Sequence, residues 1–168
     1  MARIVCTPIL LLLLEYAVGP SNFTDKAVLR QAIEECDFDF RVHGFETAVN
    51  NSGASISDWD VSAITDGSEL FKDVTYFNLP LSGWNTSQMT NMDSMFESAR
   101  FFNQALSWET SRVTSMERTF YCYNCNGDGA FNGALSFDTS SVTNMAGMFA
   151  ETGFNRPVAF DTCSVTSM

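Results

Sequence analysis

The sequence predicts an α/β fold: a right-handed solenoid of short strands and short helical turns, closed on its N-terminal side by a helix. The first observation behind it is an aromatic residue that recurs at Trp59, Trp84, Trp108, Phe137 and Phe160, at spacings of 25, 24, 29 and 23 residues. A period of this size is the mark of a repeat architecture. The second is that other positions recur in step with it. Five residues on stands Ile64, Met89, Val113, Val142 or Val165, followed by Thr65, Thr90, Thr114, Thr143 or Thr166, and twelve residues on stands Phe71, Phe96, Phe120 or Phe149. The third is the set of pairs Phe77-Asn78, Phe102-Asn103, Phe131-Asn132 and Phe154-Asn155, with Leu81, Leu106 and Leu135 beyond them and Val158 in the corresponding stretch of the last unit.

Spacing within a unit assigns the local elements. Met89, Met92, Met95 and Phe96 recur at three or four residues, as on one face of a short helix that Thr90 or Asn91 would cap. Phe102, Leu106 and Trp108 fall on alternate positions, as in a strand with one buried face. Neither piece buries its apolar face alone, so the units must stack. In residues 23 to 36, Thr24 is placed to cap a helix, Phe23 and Val28 to form a hydrophobic staple, and Leu29, Ile33 and Cys36 to form an apolar stripe. The expected organisation is a signal peptide over 1–19, an N-terminal capping segment over 20–58, and four full units and one partial unit over 59–168.

The chain has 168 residues, 45% of them apolar, with nine Lys and Arg against twenty Asp and Glu and a net charge of −11. That balance repels a phosphate backbone, so nucleic acid is excluded as a partner, and it disfavours an anionic membrane. Arg3, the apolar run Ile4–Leu13 and the small residues Ala17 and Gly19 form a secretory signal pattern. It is too short for a membrane span, so no direct membrane insertion of the mature chain is expected. Secretion or display at the cell surface follows, and Asn22, Asn50 and Asn85 then stand in glycosylation triplets.

The repeated Asn and Thr have structural roles. A side-chain amide in register satisfies backbone groups at a turn and in the units above and below. Each Thr beside a helix start would serve as a cap rather than face a ligand.

Catalytic patterns are missing from the sequence. His43 is the sole histidine, in a polar stretch with no nucleophile at motif spacing, and there is no phosphate-binding glycine loop, His-Glu-x-x-His or Gly-x-Ser-x-Gly. The third unit carries the one irregularity, an insertion of five residues in "YCYNCNGDGA". Cys122 and Cys125 there form a lone Cys-x-x-Cys. Zinc would need two more ligands, and Cys36, His43 and Cys163 lie far off in a stacked array. A disulfide suits a secreted chain, with the pairing among its four remaining cysteines left open. Asn124, Asn126, Asp128 and Gly129 match the first half of a calcium loop, but the twelfth position is Leu135 where a bidentate Glu is required. No metal, cofactor or enzymatic activity is expected.

The pattern W-[DN]-x-S-x-[VIM]-T-x-M-x-x-M-F followed by F-N-x-x-L-S resembles the repeat of the BspA-like leucine-rich-repeat surface proteins, which is also found in mycoplasma surface lipoproteins. The matching units cover residues 56 to 168. The resemblance implies an extended leucine-rich-repeat-like solenoid displayed outside the cell, with adhesion or other binding as its role and no activity attached. Gly67 and Thr119 stand where the pattern has Met, Cys163 stands where it has Ser, and the last unit stops at Met168. An open edge of that kind is expected to self-associate.

The function expected is therefore a binding or adhesion module for a protein or glycan, with a structural wall element as the alternative. An enzyme whose site is assembled across units is a third, less favoured class. The inserted loop supplies the candidate contact residues Tyr121, Tyr123, Asn124, Asn126 and Asp128, because insertions in repeat folds loop out on one face.

Overall fold

The computed structural model describes residues 22–43, 56–123, 125 and 131–168, with only the backbone for 38–43. The signal segment 1–19, Asn50, the side chain of His43, and Asn124, Asn126 and Asp128 of the loop lie outside the described residues.

The expected leucine-rich-repeat-like, right-handed solenoid of strands and helical turns is not what the chain forms. Among the described residues there is one α-helix, α1 (Lys26–His43), one 3-10 turn (Ile56–Asp58), and no extended strand or sheet. Strand pairing is reduced to isolated single-residue parallel bridges: Asp66 to Asn91, Asn91 to Ser115, Ser115 to Asn144, Asn144 to Ser167, and Leu106 to Leu135, with Asn22 to Asp60 at the start. The three-and-four spacing of Met89, Met92, Met95 and Phe96 belongs to consecutive turns, not to a helix.

A helix would close every N–H onto the carbonyl four residues back. Here the N–H groups divide in two directions. Met95 and Glu97 donate within their own turn, to the carbonyls of Met92 (3.2 Å) and Ser94 (3.0 Å). The residues between donate to the next unit: Met92 to Ser115 (3.0 Å), Ser94 to Glu117, Phe96 to Thr119 and Ser98 to Tyr121 (each 2.8 Å). The same four bonds tie Gly67, Glu69, Phe71 and Asp73 to the second unit, and Met116, Arg118, Phe120 and Cys122 to the fourth. This division requires reversals of the backbone, and left-handed residues recur in register at Glu69, Ser94, Arg118 and Gly147, and again at Asp73, Ser98 and Glu151.

Register between units places like side chains in columns. Phe71, Phe96, Phe120 and Phe149 stack with ring centroids 4.8, 5.4 and 5.6 Å apart and nearly parallel planes. Phe77, Phe102, Phe131 and Phe154 make a second column at 5.8, 6.0 and 6.1 Å, and Trp84, Trp108 and Phe137 a third. The first two interlock, as at Phe96 and Phe102 (4.3 Å). Together with the Met89, Met92 and Met95 set they form one continuous buried core. Departures from the pattern are accommodated locally. At Gly67 the space of the absent side chain is occupied by the sulfurs of Met89 and Met95. The buried Thr119 hydroxyl sits on the carbonyls of Met116 (2.8 Å) and Met92 (3.0 Å).

Asp25, not Thr24, caps α1, its carboxylate accepting the N–H groups of Ala27 (2.7 Å) and Val28 (3.2 Å). Val28 is exposed, so the expected staple with Phe23 is absent, and Phe23 packs on Trp59 instead. Leu29, Ile33 and Cys36 are buried, as the stripe anticipated. On the side of α1 facing the first unit, Lys26 pairs with Asp66 (2.7 Å), and Arg30 donates to the carbonyls of Glu69 and Lys72.

Replacing Phe96 by Ala empties a central place in the interlocked columns and is expected to lower stability by about 3–5 kcal/mol. Chemical denaturation tests this directly, and an unchanged midpoint would refute the column as the source of stability. Gly147 has φ of 62°, and a Cβ there would meet only ordinary contacts with Arg118 and Ala150 at 3.6 and 3.7 Å. Gly147→Ala therefore isolates the backbone cost of a left-handed L-residue, expected at about 1 kcal/mol by the same measurement.

Candidate functional site

Repeated side chains that do not enter the core form ladders along the stack. At the start of four of the five units an Asp or Asn follows the aromatic residue and takes the N–H two residues on: Asp60 from Ser62 (2.9 Å), Asn85 from Ser87 (3.1 Å), Asp138 from Ser140 (3.0 Å) and Asp161 from Cys163 (2.9 Å). These are Asx turns, in which a short side chain replaces a backbone acceptor. The hydroxyl and N–H of Ser62 hold the Asp60 carboxyl below its ordinary range, and those of Ser140 do the same for Asp138. Asp161 is lowered chiefly by the Cys163 N–H. The exposed Cys163 thiol is raised by its hydrogen bond to Asp161, which keeps it in the less nucleophilic form.

One residue further on, Thr86, Thr110 and Thr139 are buried and donate to the carbonyls of Glu109, Asp138 and Asp161 in the following unit, each at 2.9 Å. The sequence reading passed over this column, although the Thr recurs two residues after the aromatic in four successive units. The Thr ladder that was expected to cap helices has another role. Thr90, Thr114, Thr143 and Thr166 each place both N–H and hydroxyl on the carbonyl of the preceding Thr, at 2.8–2.9 Å and 3.1–3.2 Å.

The Asn ladder is present. Asn103, Asn132 and Asn155 direct their N–H groups to the side-chain oxygens of Asn78, Asn103 and Asn132, and Gln104 adds bonds to Asn78. Just before two members of this ladder stand Tyr76 and Phe101, stacked at 5.8 Å, with Phe101 48% exposed. This pair was also missed; its signal is the second aromatic in Tyr76-Phe77 and Phe101-Phe102.

Of the loop residues singled out from sequence, Tyr123 projects at 71% exposed. Tyr121 is half-buried beside the Arg118 guanidinium (5.3 Å) and approaches Glu151 (3.4 Å); loss of solvation first, and the Glu151 charge second, raise its phenol. Cys122 and Cys125 are joined as a disulfide with Cα atoms 5.6 Å apart, and both are buried. Asn22 and Asn85 are exposed. Among the described residues, no three His, Cys, Asp or Glu side chains converge as a metal site would require, and no helix is long and apolar enough to cross a membrane.

The geometry defines a repeat protein of stacked turn units whose outer side chains form regular ladders. The family described as "Mycoplasma protein of unknown function, DUF285" matches residues 41–128 and again 107–168, and the chain belongs to that family. The match establishes this coarser repeat family and not the narrower BspA-like grouping. No curated protein and no solved structure matches the chain.

The exposed Asx turns give a pH prediction. Because the folded-state value of Asp138 is depressed, the stability it adds is present above the ordinary aspartate range and is lost as pH falls through the lower, folded value. Ser140→Ala removes the larger of the two lowering bonds. The Asp138 pKa, followed by NMR titration, is expected to move up toward the ordinary range, and no movement would discount the hydroxyl's part.

Proposed function

We propose that this chain is a non-catalytic binding module, secreted or displayed at the cell surface, whose ligand is a protein or a glycan. The observation that carries this reading is the exposure of aromatic side chains on a scaffold that otherwise buries them. Phe101 stacks on Tyr76 next to the amide ladder of Asn78, Asn103 and Gln104, and Tyr123 stands out beside the disulfide. An aromatic face with hydrogen-bonding amides at its edge suits both the C–H face of a sugar and a protein hot spot. The amide ladder continues from this pair through Asn132 and Asn155, which favours extended ligands over small enclosed ones. Membership of the repeat family is consistent with this role, and the absence of catalytic motifs from the sequence supports a function without turnover.

Glycan and protein arrays probed with the full chain are expected to return a saturable ligand. Phe101→Ala should then weaken binding by about tenfold, the effect of losing one contact of moderate hot-spot size, with Tyr123→Ala as a separate variant. Both leave the denaturation midpoint close to that of the parent. Absence of any ligand, or binding indifferent to both substitutions, would return the chain to a structural role.

A further inference from the structure

The ring pair of Tyr76 and Phe101 coincides with the part of the amide ladder whose donors are not all in use. Each ladder oxygen must face the backbone N–H of the following rung, because an N–H cannot meet an NH2 group. Asn78 Oδ1 takes the N–H of Asn103 at 2.9 Å, and Asn103 Oδ1 takes that of Asn132 at 2.8 Å. Both amides are thereby fixed, and among the described residues the NH2 groups of Asn78 and Asn103 have no acceptor. Asn132, by contrast, gives its NH2 to Asn155 at 3.1 Å. Gln104 ties the first two rungs together, donating to the backbone and side-chain oxygens of Asn78 at 3.0 and 3.1 Å. Phe101 and Asn103 flank the buried Phe102 and are both exposed, so ring and free amide share one surface. Tyr76 lies against one face of the Phe101 ring, and the sequence supplies no ring for the other, since the next counterparts are Ala130 and Gly153.

Resting on the binding-module reading above, we propose that this ledge holds a pyranose ring of a neutral, β-linked glycan of glucose or N-acetylglucosamine. In such a ring the substituents are equatorial. The axial C–H groups then make a flat apolar face that stacks on Phe101, and the hydroxyl rim offers acceptors to the Asn103 and Asn78 amides. Tyr76 holds the Phe101 ring and Gln104 holds the rungs, so little ordering is left to be done on binding. A protein partner suits the place less well. An interface of standard size covers about 800 Å² on each side around an apolar centre, whereas in the first two units Phe101 is the only large apolar side chain exposed. An anionic glycan is disfavoured by the net charge of −11.

The test titrates the full chain with cellohexaose, chitohexaose and a galacturonate hexamer by isothermal calorimetry. Saturable binding of at least one neutral hexaose is expected, with the galacturonate weaker or absent. Asn103→Asp keeps the oxygen that accepts the Asn132 N–H and removes only the free donor. It should weaken binding of the neutral hexaose by about fivefold, the usual effect of one lost hydrogen bond, with the denaturation midpoint close to that of the parent. Phe101→Leu, apolar but without an aromatic face, should also weaken it by about fivefold. Failure of both neutral hexaoses, tighter binding of the galacturonate, or indifference to either substitution would overturn the proposal. If the hexaoses fail while a protein from the arrays binds through Phe101, the binding-module reading stands and the glycan is rejected; if neither glycan nor protein binds, both fall.

Discussion

Everything else in the structure depends on the fact that a turn segment of this kind cannot satisfy its own backbone. Alternate N–H groups in residues 92 to 98 close on their own turn, and the remainder point out of the unit. A buried backbone donor left without a partner costs about as much as a lost hydrogen bond, and each of the first three interfaces between units contains four such donors. They are met only when the next unit lies in register. That requirement fixes the register, and the register in turn fixes which side chains meet. Aromatic columns are therefore a consequence of the backbone pattern as well as a source of stability, since ring centroids near 5–6 Å arise from units stacked at this rise.

The period, the aromatic columns and the Asn ladder were legible because they follow from residue identity at fixed intervals. Local conformation was not. Met89, Met92, Met95 and Phe96 have the spacing of a helical face, and only the partners of Met92 and Ser94 in the next unit distinguish the turn from a helix. Sequence alone also conceals left-handed residues when they are Glu69, Ser94 or Arg118, none of which is a glycine. Phe102 and Leu106 alternate as in a strand, yet pairing there contracts to one bridge, Leu106 with Leu135. Of the candidate contact residues, the exposure of Tyr123 could be anticipated from its place in an insertion. The burial of Cys122 and Cys125 could not, because the Cys-x-x-Cys spacing fits a surface clip equally well.

Polar side chains extend the same logic outward. An Asx acceptor at the head of four of the five units, a Thr buried two residues after the aromatic in the second, third and fourth, and a Thr beside the bridge each meet a backbone group that the turn leaves open. This explains why a chain rich in Ser, Thr and Asn can build a stable stack without strands. It also separates residues whose repetition is structural from those free to vary. Phe101 and Tyr76 are not demanded by any backbone group, and their pairing is confined to the first two units, where the amide ladder begins.

Direction is the remaining consequence. Because the outward donors of the turn segments all face the following unit, the two faces of the stack are chemically different, one rich in carbonyls and the other in N–H groups. The carbonyl face carries partial negative charge, and it is there that α1 brings Lys26 and Arg30, two of only nine basic side chains in a chain of net charge −11. Arg30 suits the position because its planar, multi-donor guanidinium can reach the Glu69 and Lys72 carbonyls together, which the single ammonium of a lysine would do less well. The apolar stripe of Leu29, Ile33 and Cys36 then fixes the helix against the core while the cation faces the open acceptors. A chain so short of positive charge has placed it where the backbone polarity of the repeat calls for it.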